Sequence, residues 1–128
     1  MPSNNNIVYT CRYHIVFCPK YRRKVLTETI ANRLKTIILE IVESLNGEVI
    51  ELEVMADHVH VLLSCDPQFG VHRMVKRIKG ASAYTLRKEF PHLKSRLPSL
   101  WTNAYFCATV GAVSLETVKK YIEGQKGA

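Results

Sequence analysis

The chain has 128 residues, a length that fits one domain around one hydrophobic core. Apolar residues make up 47% of it, which argues against a disordered chain, and no apolar run approaches the ~20 residues that span a bilayer. Eighteen Lys and Arg against eleven Asp and Glu leave a charge of +7, which points to a polyanionic partner, nucleic acid before any other.

Residues 1–6 are polar and carry no apolar signal core, so they are expected as a flexible tail and the cytoplasm as the compartment. Residues 7–17 are rich in β-branched and aromatic side chains and predict a long first strand, which Pro19 ends. Tyr21-Arg22-Arg23-Lys24 follows as a basic loop. Ile30, Leu34, Ile37, Ile38, Ile41, Val42 and Leu45 then recur at helical spacing, with Thr27 or Thr29 placed to cap and Gly47 placed to stop. Residues 48–55 alternate as a second strand, Ala56-Asp57 makes a tight turn, and residues 58–64 return as the third strand of a hairpin.

Pro67 and Gly70 break the chain before a second helix over 71–90. Its expected apolar side is Val71, Met74, Val75, Ile78, Ala81 and Thr85. Residues 91–98 read as a basic loop and 101–110 as a fourth strand, interrupted by Gly111. Ser114 is placed to cap a last helix that runs from 115 to about 125.

This order predicts an α+β fold of ferredoxin-like, RNA-recognition-like βαββαβ type. It is a four-stranded antiparallel sheet with two helices on one face, followed by the C-terminal helix. One domain is expected: tail 1–6, core 7–110 and final helix 114–125. Alternation along the third strand sends Val59, Val61 and Leu63 toward the helices. His58, His60, Leu62 and Ser64 go to the open face, where a ligand or another element must cover them.

Imidazole is the commonest protein ligand for divalent transition metals, and His58 and His60, two apart on a strand, converge on one point. Asp57 is placed to orient an imidazole or to join the metal shell, Gln125 is a third ligand candidate, and His14 on the first strand is a neighbour whose register is open. Tyr121 and Gln125 are one turn apart on the final helix and flank its apolar stripe of Leu115, Val118 and Ile122. Both can therefore look into a cleft while the helix stays docked. A phenol with a pKa of about 10 is a poor nucleophile alone. A metal at the reacting phosphate, or Lys119 and Lys120 near by, would favour the phenolate.

On the second helix, Arg73, Lys76, Arg77, Gly80, Tyr84, Arg87 and Lys88 share one arc of roughly 120°, with no acidic residue in it. Such an arc suits a phosphate-rich ligand, with Gly80 permitting close approach and Tyr84 offering a stacking surface. Arg22, Arg23 and Lys24, and the loop with Lys94 and Arg96, add positive charge. None of Cys11, Cys18, Cys65 and Cys107 forms a Cys-x-x-Cys pair, so neither a zinc ribbon nor a redox motif is indicated. No Gly-rich phosphate loop is present, so no nucleotide cofactor site is expected.

Asp57-His58-Val59-His60-Val61-Leu62-Leu63 resembles the HUH motif, in which a hydrophobic residue separates two histidines. Tyr121-Ile122-Glu123-Gly124-Gln125 resembles the tyrosine helix of the small single-tyrosine transposases of bacterial and archaeal insertion sequences, the TnpA type. Tyr13-His14-Ile15-Val16-Phe17, Lys20 to Leu26, Lys79-Gly80-Ala81-Ser82, Arg87 to Pro91 and Trp101 to Gly111 are similar to further stretches of that family, in its order. The resemblance implies a metal-dependent enzyme that binds single-stranded DNA at transposon ends, often beside a hairpin. It implies cleavage of one strand to a 5′-phosphotyrosine and a free 3′-hydroxyl, then rejoining by reversal. Carried over by position, Tyr121 is the nucleophile, and His58, His60 and Gln125 hold Mg²⁺ or Mn²⁺. The resemblance also implies a homodimer whose tyrosine helix can serve the partner subunit, with Gly111 as the hinge, and DNA contact by the basic residues named above.

Two alternatives stand beside this reading. One is a domesticated relative associated with repetitive palindromes. The other is a non-catalytic RNA-recognition-like module that stacks bases on Tyr9, Tyr13 or Phe106. The second leaves His58, His60, Tyr121 and Gln125 unexplained together.

Overall fold

The computed structural model describes residues 3–4, 7–8, 11–110 and 115–127. Gly111 and Ser114, the expected interruption and cap, lie outside the described residues, as does Tyr9. In the segment expected as a tail, β1 (Ser3–Asn4) pairs in a two-residue antiparallel ladder with β2 (Ile7–Val8), which opens the expected first strand 7–17; of that strand the sheet keeps only 12–17. There follow β3 (Arg12–Phe17), a 3-10 turn (Lys20–Arg22), α1 (Glu28–Ser44), β4 (Glu48–Met55) and β5 (His58–Ser64). The chain continues through α2 (Val71–Glu89), α3 (His92–Arg96), β6 (Phe106–Thr109) and α4 (Leu115–Gly124). Among the described residues no helix is long and apolar enough to cross a membrane.

β4, β5, β3 and β6 form one four-stranded antiparallel sheet in that order, the expected ferredoxin-like plan. The register sets Ile15 opposite Val61 and Phe17 opposite Val59, so these apolar side chains share a face. They pack with Leu63 against Ile30, Leu34, Ile38 and Val42 of α1 and Met74, Val75 and Ile78 of α2, as one buried core. The alternation expected along β5 holds for Val59, Val61 and Leu63 and for His58, His60 and Leu62. Ser64 departs from it and is buried, at the strand end where both Arg12 and Glu48 pair with it.

Three further expectations change. The buried stripe of α2 continues through Ser82 and Leu86, while Ala81 and Thr85 are only half-buried. Trp101 explains Ser82: its indole packs edge-on against Phe17, and its Nε1–H, buried and in need of an acceptor, donates to Ser82 Oγ at 3.1 Å. The fourth strand is shorter than 101–110 and keeps only Phe106–Thr109, with Trp101 bridging Pro19 alone. Lys79 Nζ donates to the carbonyls of Thr102, Asn103 and Ala104 at 2.7, 3.3 and 3.2 Å and so takes these acceptors out of any ladder. The expected loop 91–98 contains α3, which Leu93 anchors in the core.

Gly47 follows α1 as expected, but for another reason. Leu45 is the C-cap, and Asn46, not glycine, takes the left-handed conformation at φ 60°. Gly47 instead lies against its neighbours: a Cβ there would stand 2.7 Å from Ser64 O, 2.9 Å from Val42 Cγ1 and 3.0 Å from Met74 Cε. Gly47→Ala is therefore expected to destabilise the protein by about 1–3 kcal/mol, read as a lower urea midpoint at constant m-value. Asn46→Gly is expected to be neutral or slightly stabilising in the same measurement.

Candidate active site

The two-residue turn at Ala56-Asp57 sets Met55 opposite His58 and Glu53 opposite His60. On its other side His60 faces Val16, which in turn faces Phe106. Glu53, His60, Val16 and Phe106 thus form one row across the open face. Val16 is fully buried on that face, away from α1 and α2. The cover is α4, which packs on β3, buries Val118 and brings the Tyr121 ring to 5.4 Å from that of Phe106. One strand separates Phe106 from His60, so the tyrosine and the histidine pair look onto the same stretch of sheet, about 10 Å across.

Each imidazole is held by a neighbour. Asp57 Oδ1 lies 2.9 Å from His58 Nδ1, so the carboxylate accepts a hydrogen bond from Nδ1–H and leaves Nε2 free to ligate. Of the two roles open to Asp57, the geometry gives it the orienting one. Its second oxygen, Oδ2, lies 3.1 Å from Arg22 Nε. His60 Nε2 lies 3.0 Å from His14 Nδ1, so one of these rings donates and the other accepts. His14 is therefore the neighbour that the first strand offers. Burial pushes the His60 pKa down, and the imidazoles of His14 and His58 push the same way against Glu53 and Glu51, which oppose them. His60 is accordingly neutral at physiological pH, as a ligand must be.

The hydroxyl of Tyr121, on α4, and Oε1 of Gln125, just past its end, are both buried without a hydrogen-bond partner. An unpaired buried polar atom costs about 1–3 kcal/mol, so two of them one turn apart mark a place built for something polar. Burial first, and the nearby Cys18 second, push the Tyr121 pKa up to about 12. Lys119 and Lys120 do not serve the phenolate as expected, since both are exposed and neither lowers this pKa. Among the described residues no three His, Cys, Asp or Glu side chains gather to hold a metal. The candidate donor set is two imidazoles and one amide oxygen. The orphaned Gln125 Oε1 fits a hard divalent cation that completes its shell with phosphate oxygens and water.

The family model for IS200-like transposases matches residues 7–125, almost the whole chain. The chain belongs to this family. It is 41% identical over 127 residues to the ISDra2 transposase TnpA of Deinococcus radiodurans, an alignment covering 98% of this chain and 91% of that protein. It is 33% identical over 119 residues to the transposase for insertion sequence element IS200 of Salmonella typhimurium, covering 91% and 78%. A crystal structure of a D. radiodurans chain assigned as a transposase superposes with a TM-score of 0.89 at 38% identity over all of both chains. A tyrosine transposase associated with REP sequences, solved bound to a REP hairpin, superposes at 0.51 and 13% identity, over 94% of this chain and 68% of that one. That last likeness concerns the fold alone.

The candidate DNA-contacting cations line three open clefts, with Arg22 apart from them. Arg23 and Lys24 line an open cleft of about 370 Å³ with Arg96 and Leu97. Tyr84, Arg87, Lys88 and Lys94 line a second of about 330 Å³, and Arg73, Lys76, Arg77 and Gly80 a third of about 460 Å³. Tyr84 is 71% exposed, with Lys88 Nζ 5.9 Å from its ring centre. The arc of α2 lies opposite its buried side, so it faces away from the sheet face that carries the histidines. Arg22 stands apart from the others, turned inward onto Asp57 and the backbone of α4.

Sequence reasoning missed the inward role of Arg22, which carries no signal in a run of three cations. It also missed Glu53 beside His60, and that signal existed: a two-residue turn dictates the pairing outright. Since burial raises the Tyr121 pKa above that of an unfolded tyrosine, its contribution to stability is complete below pH 10. That contribution is lost as the pH rises toward 12. Spectrophotometric titration of the wild type against Tyr121→Phe is expected to show one phenolate wave near pH 12, absent from the variant.

Proposed function

We propose that this transposase cuts one strand of single-stranded DNA at transposon ends by attack of Tyr121 on a phosphodiester, and rejoins strands by reversing the step. The observation that carries the reading is the pair of orphaned polar atoms, Tyr121 Oη and Gln125 Oε1, one turn apart at the end of the helix that covers the sheet face of His58 and His60. A hydroxyl without a partner is free to meet phosphorus. As the bond from Tyr121 Oη to phosphorus forms, the bond from phosphorus to the 3′-oxygen breaks. The phenolic proton is lost and the departing 3′-oxygen gains one, leaving a 5′-phosphotyrosine and a free 3′-hydroxyl. One phosphodiester replaces another, so no nucleotide is consumed.

His58, His60 and Gln125 are the residues that would hold Mg²⁺ or Mn²⁺. When bound, such an ion would polarise the phosphoryl group and draw the phenol toward its ionised form. Asp57 fixes the His58 tautomer through Nδ1, and burial keeps His60 neutral. Tyr121 is protonated at neutral pH like any tyrosine, and burial raises its pKa further, so its phenolate needs the substrate and cation to form.

The outer clefts would take the flanking DNA, with Tyr84 as a stacking platform and Arg73, Arg77 and Lys88 against phosphates. That DNA would include a hairpin, as the DNA bound by the REP-associated transposase does, and the chain would act as a homodimer. The non-catalytic alternative loses two of its three stacking platforms on the open face. Phe106 is covered by Tyr121, and Tyr13 pairs with Leu63 on the helix-covered face.

Incubation with labelled single-stranded DNA from the flanks of its own gene, with Mn²⁺, is expected to yield a covalent protein–DNA adduct. Tyr121→Phe should form none, and His58→Ala with His60→Ala should lose at least about a hundredfold in rate. An adduct on Tyr121→Phe would remove this tyrosine as nucleophile. Binding should also weaken with salt, and each of Arg73, Arg77 and Lys88 replaced by Ala should reduce the log–log slope by about 0.7.

A further inference from the structure

Arg22 belongs to a run of exposed cations but is not itself free. Its side chain is 18% exposed and makes two directed contacts. Nε donates to Asp57 Oδ2 at 3.1 Å, and Nη1 donates to the carbonyl of Ile122, also at 3.1 Å. Asp57 is the residue that holds His58 Nδ1, and Ile122 is the residue after Tyr121. One guanidinium therefore touches both halves of the site, and its contact with Ile122 spans a hundred residues of sequence.

The backbone is shaped to deliver it. Tyr21 and Arg22 both adopt left-handed conformations, at φ 59° and 50°, which residues with a Cβ avoid. The turn is pinned on both sides: Lys20 N donates to Leu100 O at 2.8 Å, Arg22 N to Pro19 O at 2.8 Å, and Leu26 N to Ala56 O at 3.1 Å. That last bond ties the loop to the turn that precedes His58. Two consecutive strained residues persist only where the surroundings over-determine them, and they cluster where a side chain must be aimed.

The chemistry of the two acceptors calls for arginine. Ile122 O lies in the last turn of α4, where the helix carries partial negative charge, and it accepts there from Gln125 N at 3.1 Å as well as from Arg22. Asp57 is a carboxylate, 17% exposed. A planar fork with donors on adjacent edges satisfies both at once, whereas the ammonium of lysine is a single point.

We propose that Arg22 is a positioning residue that fastens the tyrosine helix to the histidine hairpin. Nucleophile and metal ligands then come into register together. Its effect on rate rests on the reading of Tyr121 and His58 as the reacting centre, but its effect on the seating of α4 does not. Arg22 acts through its neighbours and touches no substrate.

The test uses the full chain as wild type, Arg22→Lys and Arg22→Ala. Single-turnover adduct formation at saturating single-stranded DNA with Mn²⁺ should fall at least about thirtyfold in both variants, while the dissociation constant for DNA moves less than about threefold. Amide exchange over 118–124 should quicken at least about tenfold, with protection in α1 and β5 unchanged. Added guanidinium should restore the rate of Arg22→Ala and leave the wild type unaffected.

Wild-type exchange over 118–124 in either variant overturns the proposal. So does a slowed adduct explained wholly by lost DNA affinity, since Arg22 would then be a phosphate contact. Should wild type form no adduct, the functional reading falls and the exchange measurement still decides the seating role. Should Arg22→Ala fail to fold, Arg22→Lys carries both measurements.

Discussion

The register of β5 between β3 and β4 is the constraint on which the rest depends. Side chains along a strand alternate with a period of two, so a slip of one residue would send His58 and His60 into the core and Val59, Val61 and Leu63 to the open face. The slip is costly because those three apolar residues are fully buried against α1 and α2. The same pairing that makes the core therefore positions the imidazoles. Core and site are the two faces of one strand.

The open face is finished by α4, and it is finished imperfectly. Val118 is buried there, while the Tyr121 hydroxyl and Gln125 Oε1 are buried without partners. Packing alone would favour apolar residues at both positions. In an IS200-like transposase, the penalty is understandable as preorganisation for a polar guest, with the proposed cation and scissile phosphate as that guest. The raised pKa of Tyr121 is the same fact seen through its proton. Asp57, Arg22 and the carbonyl of Ile122 form the hydrogen-bonded link between this helix and the histidine hairpin.

Charge and chemistry sit on different sides of the molecule. The basic arc of α2 looks outward from the helix layer, and the histidines look outward from the sheet. A DNA strand touching both would have to pass round the fold. Arg23, Lys24 and Arg96 line a cleft beside the loop that carries Arg22. They are placed to guide such a path.

Much of this was readable from the chain itself. Strand alternation and helical spacing determined the element order, the sheet face of each histidine and the buried side of α1, because each rests on local periodicity. His58, His60, Tyr121 and Gln125 stood out as site candidates from residue type and spacing, and Glu53 beside His60 was legible from the length of a turn. Other features were decided only by the tertiary structure. Trp101 drew Ser82 into the core, Lys79 shortened the last strand by taking its carbonyls, and Gly47 is required by the approach of Ser64. Arg22 turned inward while Arg23 and Lys24 stayed out, because its two acceptors come from Asp57 and Ile122. Periodicity fixes what a residue faces within its own element, but a hydrogen bond across a hundred residues exists only once the sheet and α4 have met.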